Sequence, residues 1–169
     1  MQIRKLMAKA DGFETLKGHV EMDEAIIGGP RPLAQKMSNK TIVLGLKERG
    51  GRMHAEKIPN AKTDSLRRPV LRTVERGSRV STDENKAYSL LTGDGYHHAA
   101  VNHSRGEYVR GDVHTNSVES FWRLFKNSVR STHIHVSGKH MDSYLKEFTF
   151  RSNHRQMTNA MFDLLISAV

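Results

Sequence analysis

His114-Thr115-Asn116-Ser117-Val118-Glu119-Ser120-Phe121-Trp122-Arg123-Leu124-Phe125-Lys126 is the stretch around which the rest of the chain arranges itself. At roughly 100° per residue, Val118, Phe121, Trp122, Phe125 and Val129 fall on one side of a helix. Asn116, Glu119, Arg123, Lys126 and Arg130 fall on the other. The spacing predicts a helix over 116–130. Its apolar stripe is wide enough to demand a packing surface, so Trp122 and Phe125 read as core. The polar row combines an amide, a carboxylate and three cations, a set suited to a metal ion and a phosphate chain. Two plainer readings stand beside that one. Asn116 at an N-cap with Glu119 three residues on is a capping-box arrangement, and Arg123 and Lys126 are spaced to pair with Glu119 along the helix.

Upstream of this helix the pattern changes to short strands. Residues 19–27 show partial alternation and stop at the breaker cluster Gly28-Gly29-Pro30-Arg31-Pro32. A basic loop with Arg31, Lys36 and Lys40 follows. Residues 41–46, extending toward Arg49, and 52–58 flank Gly50-Gly51, a hairpin signal. These three strands predict an antiparallel meander. Residues 61–76 read as a helix with Leu66, Val70, Leu71 and Val74 inward, capped by Thr63 or Asp64 and ended by Gly77. Pro69 is expected to kink it or shift its start. A fourth strand over 78–82, a short helix over 87–91 and a fifth strand over 96–101 precede a loop over 102–113. After the organising helix, 131–136 reads as a linker. Ser137 then caps a helix carrying Met141, Tyr144, Leu145 and Phe148, and Thr158 caps a last one carrying Met161, Leu164 and Leu165. Three strands followed by alternating helix and strand predict a mixed five-stranded α/β sheet flanked by helices, with extra helices at the C-terminus. This is the element order of the ribonuclease H-like fold. The expected division is a lead-in over 1–18, a main domain over 19–155, and a C-terminal helix over 156–169 that packs on it.

The chain has 169 residues, no cysteine, and 27 Lys plus Arg against 18 Asp plus Glu, a net charge of +9. One domain with a real core fits this length. Disulfides and cysteine-based zinc sites are excluded within it. The basic excess favours a polyanionic partner, nucleic acid above all. No apolar run is long enough to span a bilayer and no signal-peptide core is present. The expectation is therefore a soluble, cytoplasmic protein without a membrane partner.

Three acids deserve a common explanation. Asp23 lies in the first strand, where Glu21 shares its side and Glu24 takes the other. Asp83 ends the fourth strand, and such strand ends are where sites form in open α/β sheets. Glu119 lies on a helix expected to cover the sheet. Two aspartates on neighbouring strands and an oxygen ligand from a following helix can converge on one point. That is what Mg²⁺ or Mn²⁺ asks for, since both take hard oxygen ligands. Two such ions serve an in-line phosphoryl displacement.

On these residues the chain resembles the catalytic domain of insertion-sequence transposases of the DDE superfamily, in the ISXO-like branch with an Asp-Asp-Asn-Lys pattern. The matching stretches are Val20-Glu21-Met22-Asp23-Glu24 with Gly28-Gly29, Ser81-Thr82-Asp83-Glu84, Glu107-Tyr108-Val109, residues 114–122, residues 136–140 and residues 144–155. The resemblance implies that Asp23 and Asp83 are the metal-binding aspartates. It places Asn116 at the third catalytic position, with Glu119 as the competing ligand on chemical grounds, Lys126 among the catalytic residues, and Lys126 and Arg123 against the DNA backbone or the scissile phosphate. Arg130, Lys139 and Arg151 are further candidates for DNA contact. The implied activity is cleavage at transposon ends and strand transfer into target DNA. It would use two Mg²⁺ or Mn²⁺ ions and no covalent protein–DNA intermediate, in a homo-oligomer on paired ends in a prokaryotic cell. A ribonuclease H-like nuclease without strand transfer and a catalytically silent DNA-binding remnant are the alternatives. Related proteins usually carry an N-terminal zinc ribbon. Here residues 1–18 precede the first strand and cysteine is absent, which implies a shortened product, a decayed copy or a fragment.

Overall fold

The structure is a computed structural model that describes residues 2–12, 14–28, 40–132, 136, 138–157 and 160–168. The cap residues Ser137 and Thr158, the loop cations Arg31 and Lys36, and the Gly29–Pro32 part of the breaker cluster lie outside these. The chain opens with helix α1 (Gln2–Asp11) and strands β1 (His19–Ile27), β2 (Thr41–Glu48) and β3 (Met53–Ile58). Helix α2 (Thr63–Thr73), β4 (Arg79–Thr82) and β5 (His97–Ala100) follow, then α3 (Asn116–Thr132), α4 (Met141–Asn153) and α5 (Ala160–Ile166). The sheet order is β3-β2-β1-β4-β5. The first three strands form the antiparallel meander expected. β4 returns parallel to β1, and β5 parallel to β4. This mixed sheet with helices on both faces is a ribonuclease H-like architecture.

Both faces of the central strands are covered, which explains why β1 alternates only partly. Val20, Met22, Leu44, Leu46 and Val80 face Leu66 and Val70 of α2 in one core layer, with Tyr88 and Tyr96. Ala25, Ile27, Val43 and Met53 face Val118, Phe121, Trp122 and Phe125 of α3 in the other, joined by Met141 and Leu145 of α4. The stripe on α3 is thus core, as its period required; Trp122 and Phe125 are 3% and 0% exposed. The N-terminal helix packs on α4. Arg4 joins them, donating to Glu147 at 2.6 Å with its guanidinium 4.0 Å from the Tyr144 ring centre.

Four local readings are corrected. α2 covers Thr63–Thr73 rather than 61–76, and neither Thr63 nor Asp64 caps it: Lys62 holds the cap position without a side-chain bond. The carboxamide of Asn60 instead accepts from the Lys62 N–H and the Ser65 hydroxyl. The helix stops before Gly77 because Val74 turns extended and bridges to Leu16, whose N–H donates to the Thr73 carbonyl. Leu71, expected inward, is 38% exposed. Residues 87–91 do not form an α-helix. A 3-10 turn over Lys86–Tyr88, started by the Asn85 side chain, serves there. Finally, α3 runs through Thr132, so the start of the expected linker is helical.

Candidate active site

The site grows from the period of two in β1. Glu21 and Asp23 face α3, while Glu24 faces the other layer. In the parallel pairing of β1 with β4, Glu21 lies opposite Ser81. Asp83 is two residues beyond Ser81, as Asp23 is beyond Glu21, so the two aspartates stand side by side, Asp83 just past the end of β4 and Asp23 midway along β1. On the other flank Asp23 is opposite Gly45 of β2. A Cβ at Gly45 would lie 2.7 Å from Trp122 Cζ2 and 2.9 Å from Val118 Cγ2. The bare glycine therefore lets α3 approach the sheet beside Asp23.

Glu21 sets where α3 begins. Its side chain is fully buried, and its carboxylate accepts from the Ser117 N–H at 2.7 Å, the Val118 N–H at 3.3 Å and the Ser117 hydroxyl at 3.0 Å. Arg49 Nε donates to it at 2.9 Å and His114 Nδ1 stands 3.3 Å away. Free N–H groups at a helix start favour an anion, and a strand carboxylate supplies it. This overturns the capping-box reading of Asn116 and Glu119. Asn116 is the first helical residue, is exposed, and caps nothing among the described residues. Glu119 accepts instead from the Thr115 hydroxyl at 2.6 Å.

Beyond this anchor a shallow cleft of about 330 Å³ is lined by Asp23, Glu119, Trp122, Arg123, Lys126, Asn127 and Arg130. Asp83 adjoins it without lining it. Burial pushes the Asp23 carboxyl up to about 8, with further repulsion from Glu24, Asp83 and Glu119 and partial relief from Lys126. Burial also raises Asp83. Glu24 and Glu84 add to that shift, and the Asn85 N–H and His103 oppose it. Glu24 is held on the far side by the Tyr88 hydroxyl and by Asn85 Nδ2 at 2.8 Å. Glu84 accepts from Ser104 Oγ and from the N–H groups of His103 and Ser104. Those bonds, Ser104 Oγ first, hold its carboxyl down at about 2. They also fix the turn that places His103 Nε2 3.8 Å from Glu119.

The structure therefore brings together Asp23, Asp83, Glu119, Arg123, Lys126 and Arg130. Asn116 does not line the cleft. Lys139 lies in the turn ahead of α4, next to Gly138, where a Cβ would meet Thr41 Oγ1. Thr41 opposes Ile27, four residues along β1 from Asp23. Arg151 pairs with Glu147 on α4 at 3.0 Å. The sequence reading gave no role to Glu21, Glu24, Glu84 or His103. Only Glu21 carried a signal, as an acid at an inward strand position on the Asp23 side.

The donor set fits a divalent cation. Carboxylate oxygens are the hard ligands Mg²⁺ and Mn²⁺ take, and repulsion among Asp23, Glu24, Asp83 and Glu119 is what such a charge relieves. Among the described residues no group of three or more His, Asp or Glu is preassembled as a metal cage. Mg²⁺ does not require one, since one or two carboxylates suffice when water completes the shell.

A family model described as the ISXO2-like transposase domain matches residues 15–153. A protein of Halobacterium salinarum, described as an uncharacterized protein in transposable element ISH50, is 38% identical over 117 residues. The match covers 67% of this chain and 39% of that protein, so the chain spans well under half of that relative's length. No solved structure matches. Among the described residues no helix is long and apolar enough to cross a membrane.

Proposed function

Because the chain belongs to the ISXO2-like transposase domain family of insertion sequences, we propose that its cleft cuts DNA at the ends of a mobile element and joins the freed end to target DNA. The observation that carries this reading is the meeting of Asp23, Asp83 and Glu119 beside one row of cations. Asp23 and Asp83 would hold two Mg²⁺ or Mn²⁺ ions with Glu119 as the third carboxylate. Glu119 is favoured over Asn116 because it lines the cleft with Asp23. Bound ions would activate the attacking oxygen and stabilise the leaving one.

The chain's own residues orient the DNA. Arg123, Lys126 and Arg130 recur at helical spacing along the cleft and match successive phosphates with little base specificity. In the first step a water oxygen bonds to the scissile phosphorus, and the strand leaves as a 3′-hydroxyl after taking a proton. In the second, that 3′-hydroxyl attacks a target phosphorus and releases a target 3′-hydroxyl. The second step spends no cofactor, since one phosphodiester replaces another. Assembly of two copies on paired ends belongs to the same proposal.

The test is incubation of the chain with labelled DNA carrying the ends of its own element, in Mg²⁺ or Mn²⁺. Nicked and joined products are expected, and Asp83→Ala should abolish both. Activity untouched by Asp83→Ala would overturn the assignment. Nicks without joined products would mark a nuclease, and DNA binding without nicks a silent binding module.

A further inference from the structure

The segment 102–113 joins β5 to α3 and is tightly folded. The Asn102 carboxamide accepts from the Arg105 N–H at 3.0 Å, and Glu107 Oε2 accepts from the Asn102 N–H at 3.3 Å. Gly106 reverses the chain at φ +75°. Arg110 and Val113 form a bridge, and Arg110 Nη2 donates to the Ala100 carbonyl at 2.7 Å. Glu84 ties down the other end through His103 and Ser104.

On this fixed segment Tyr108 is 59% exposed. The other tyrosines are spoken for: Tyr88 and Tyr96 are buried and Tyr144 lies under Arg4. The Tyr108 ring sits 5.0 Å from the His103 imidazole at 34°, and His103 in turn stands 3.8 Å from Glu119. An open aromatic face is thus held one imidazole away from the carboxylates. The cations of α3 line the cleft beyond Glu119. Arg105, exposed and without a side-chain partner among the described residues, borders a hollow of about 500 Å³ on the same loop with Arg110.

A planar, partly apolar group is what such a ring receives. In DNA that group is a nucleobase, and stacking on an aromatic side chain contributes about 1–3 kcal/mol per base without regard to sequence. A base inside a duplex has both faces covered by its neighbours, so only an unpaired base can use the ring. We propose that Tyr108, backed by His103, is a stacking platform for an unpaired nucleobase beside the cleft. DNA that is frayed or single-stranded next to the cut is then the preferred substrate. This rests on reading the cleft as the seat of the DNA backbone.

The test compares two fluorescein-labelled DNAs of equal length by anisotropy, in EDTA so that nothing is cut. One is a fully paired duplex and the other has a short mismatched bubble containing 2-aminopurine. The unaltered chain should bind the bubble more tightly by about 5-fold or more, with a change in 2-aminopurine emission. Tyr108→Ala should erase both effects and leave the paired duplex unchanged. Tyr108→Phe should retain them. Equal binding of the two DNAs, or a Tyr108→Ala loss shared by both, overturns the platform and leaves the cleft reading standing. Failure to bind either DNA overturns the cleft reading, and the platform with it.

Discussion

Glu21 and Asp23 stand two residues apart on β1, face the same helix, and are both largely withdrawn from water. Glu21 receives two helix N–H groups, a hydroxyl and a guanidinium. The Asp23 carboxylate receives no hydrogen bond among the described residues and is crowded by three other acids, with Lys126 as the opposing charge. A carboxylate satisfied by protein donors has nothing left to offer a ligand. One starved of them and crowded by like charge is poised to take a cation or a proton. The difference lies in what each strand position faces. Glu21 meets the start of α3, where free N–H groups point outward. Asp23 meets its second turn, where those groups are used within the helix.

The largest effect that sharpens this contrast is catalytic. Asp23→Asn should lower metal-dependent nicking by about 10³-fold, roughly 4 kcal/mol of barrier, while the protein stays folded. A fold-level loss instead would move Asp23 to the structural side of the comparison. Next comes Glu21→Ala, which leaves Arg49 and His114 without their shared acid and uncaps α3. It should cost about 3–5 kcal/mol, seen as a melting point lower by about 6–20 °C. A melting point like that of the unaltered chain would mean that α3 needs no anchor from β1.

Gly45→Ala is smaller. Its methyl would collide with Trp122 and Val118, costing about 1–3 kcal/mol in chemical denaturation. By lifting α3 from Asp23 it should also reduce nicking, by up to about 100-fold for a displacement near 1 Å. The same contrast can be read through pH. The Asp23 pKa rises from 3.8 to about 8 on folding, so below 3.8 both states are protonated and the contribution to stability is complete. Between 3.8 and 8 the folded state keeps a proton that the unfolded chain has lost, and that stability declines; above 8 it is gone. Asp23→Asn should therefore melt higher than the unaltered metal-free protein at pH 8, and equally at pH 3.5. Equal melting at both pH values would show that Asp23 is not under electrostatic strain.

Much of the frame was legible because it is periodic. The bounds of β1, the β2–β3 hairpin at Gly50-Gly51, and the apolar stripe of α3 all follow from local patterns of two or 3.6. The fold class and the insertion-sequence family read from those patterns and motifs both hold. Errors gathered where a distant backbone intervened. α2 ends early because Leu16, far away in sequence, takes the backbone of Thr73 and Val74. The Asn116–Glu119 spacing looked like a self-contained cap, yet the helix is capped by Glu21, 96 residues before Ser117. His103 and Tyr108 lay in what read as plain loop, since nothing local reveals that Glu84 folds it toward Glu119.

By itself, then, the sequence determined which residues carry charge, which faces are apolar and in what order strands and helices come, because those properties are local and repeat along the chain. It also determined that Asp23, Asp83 and Glu119 lie on elements able to converge. Only the tertiary structure decided which acid binds the helix and which is left free, that Asn116 stays outside the cleft while Glu119 enters it, and that an exposed tyrosine stands near the carboxylates. Those outcomes depend on contacts between residues far apart in sequence, where burial and the supply of hydrogen-bond donors, rather than residue type, set what each side chain does.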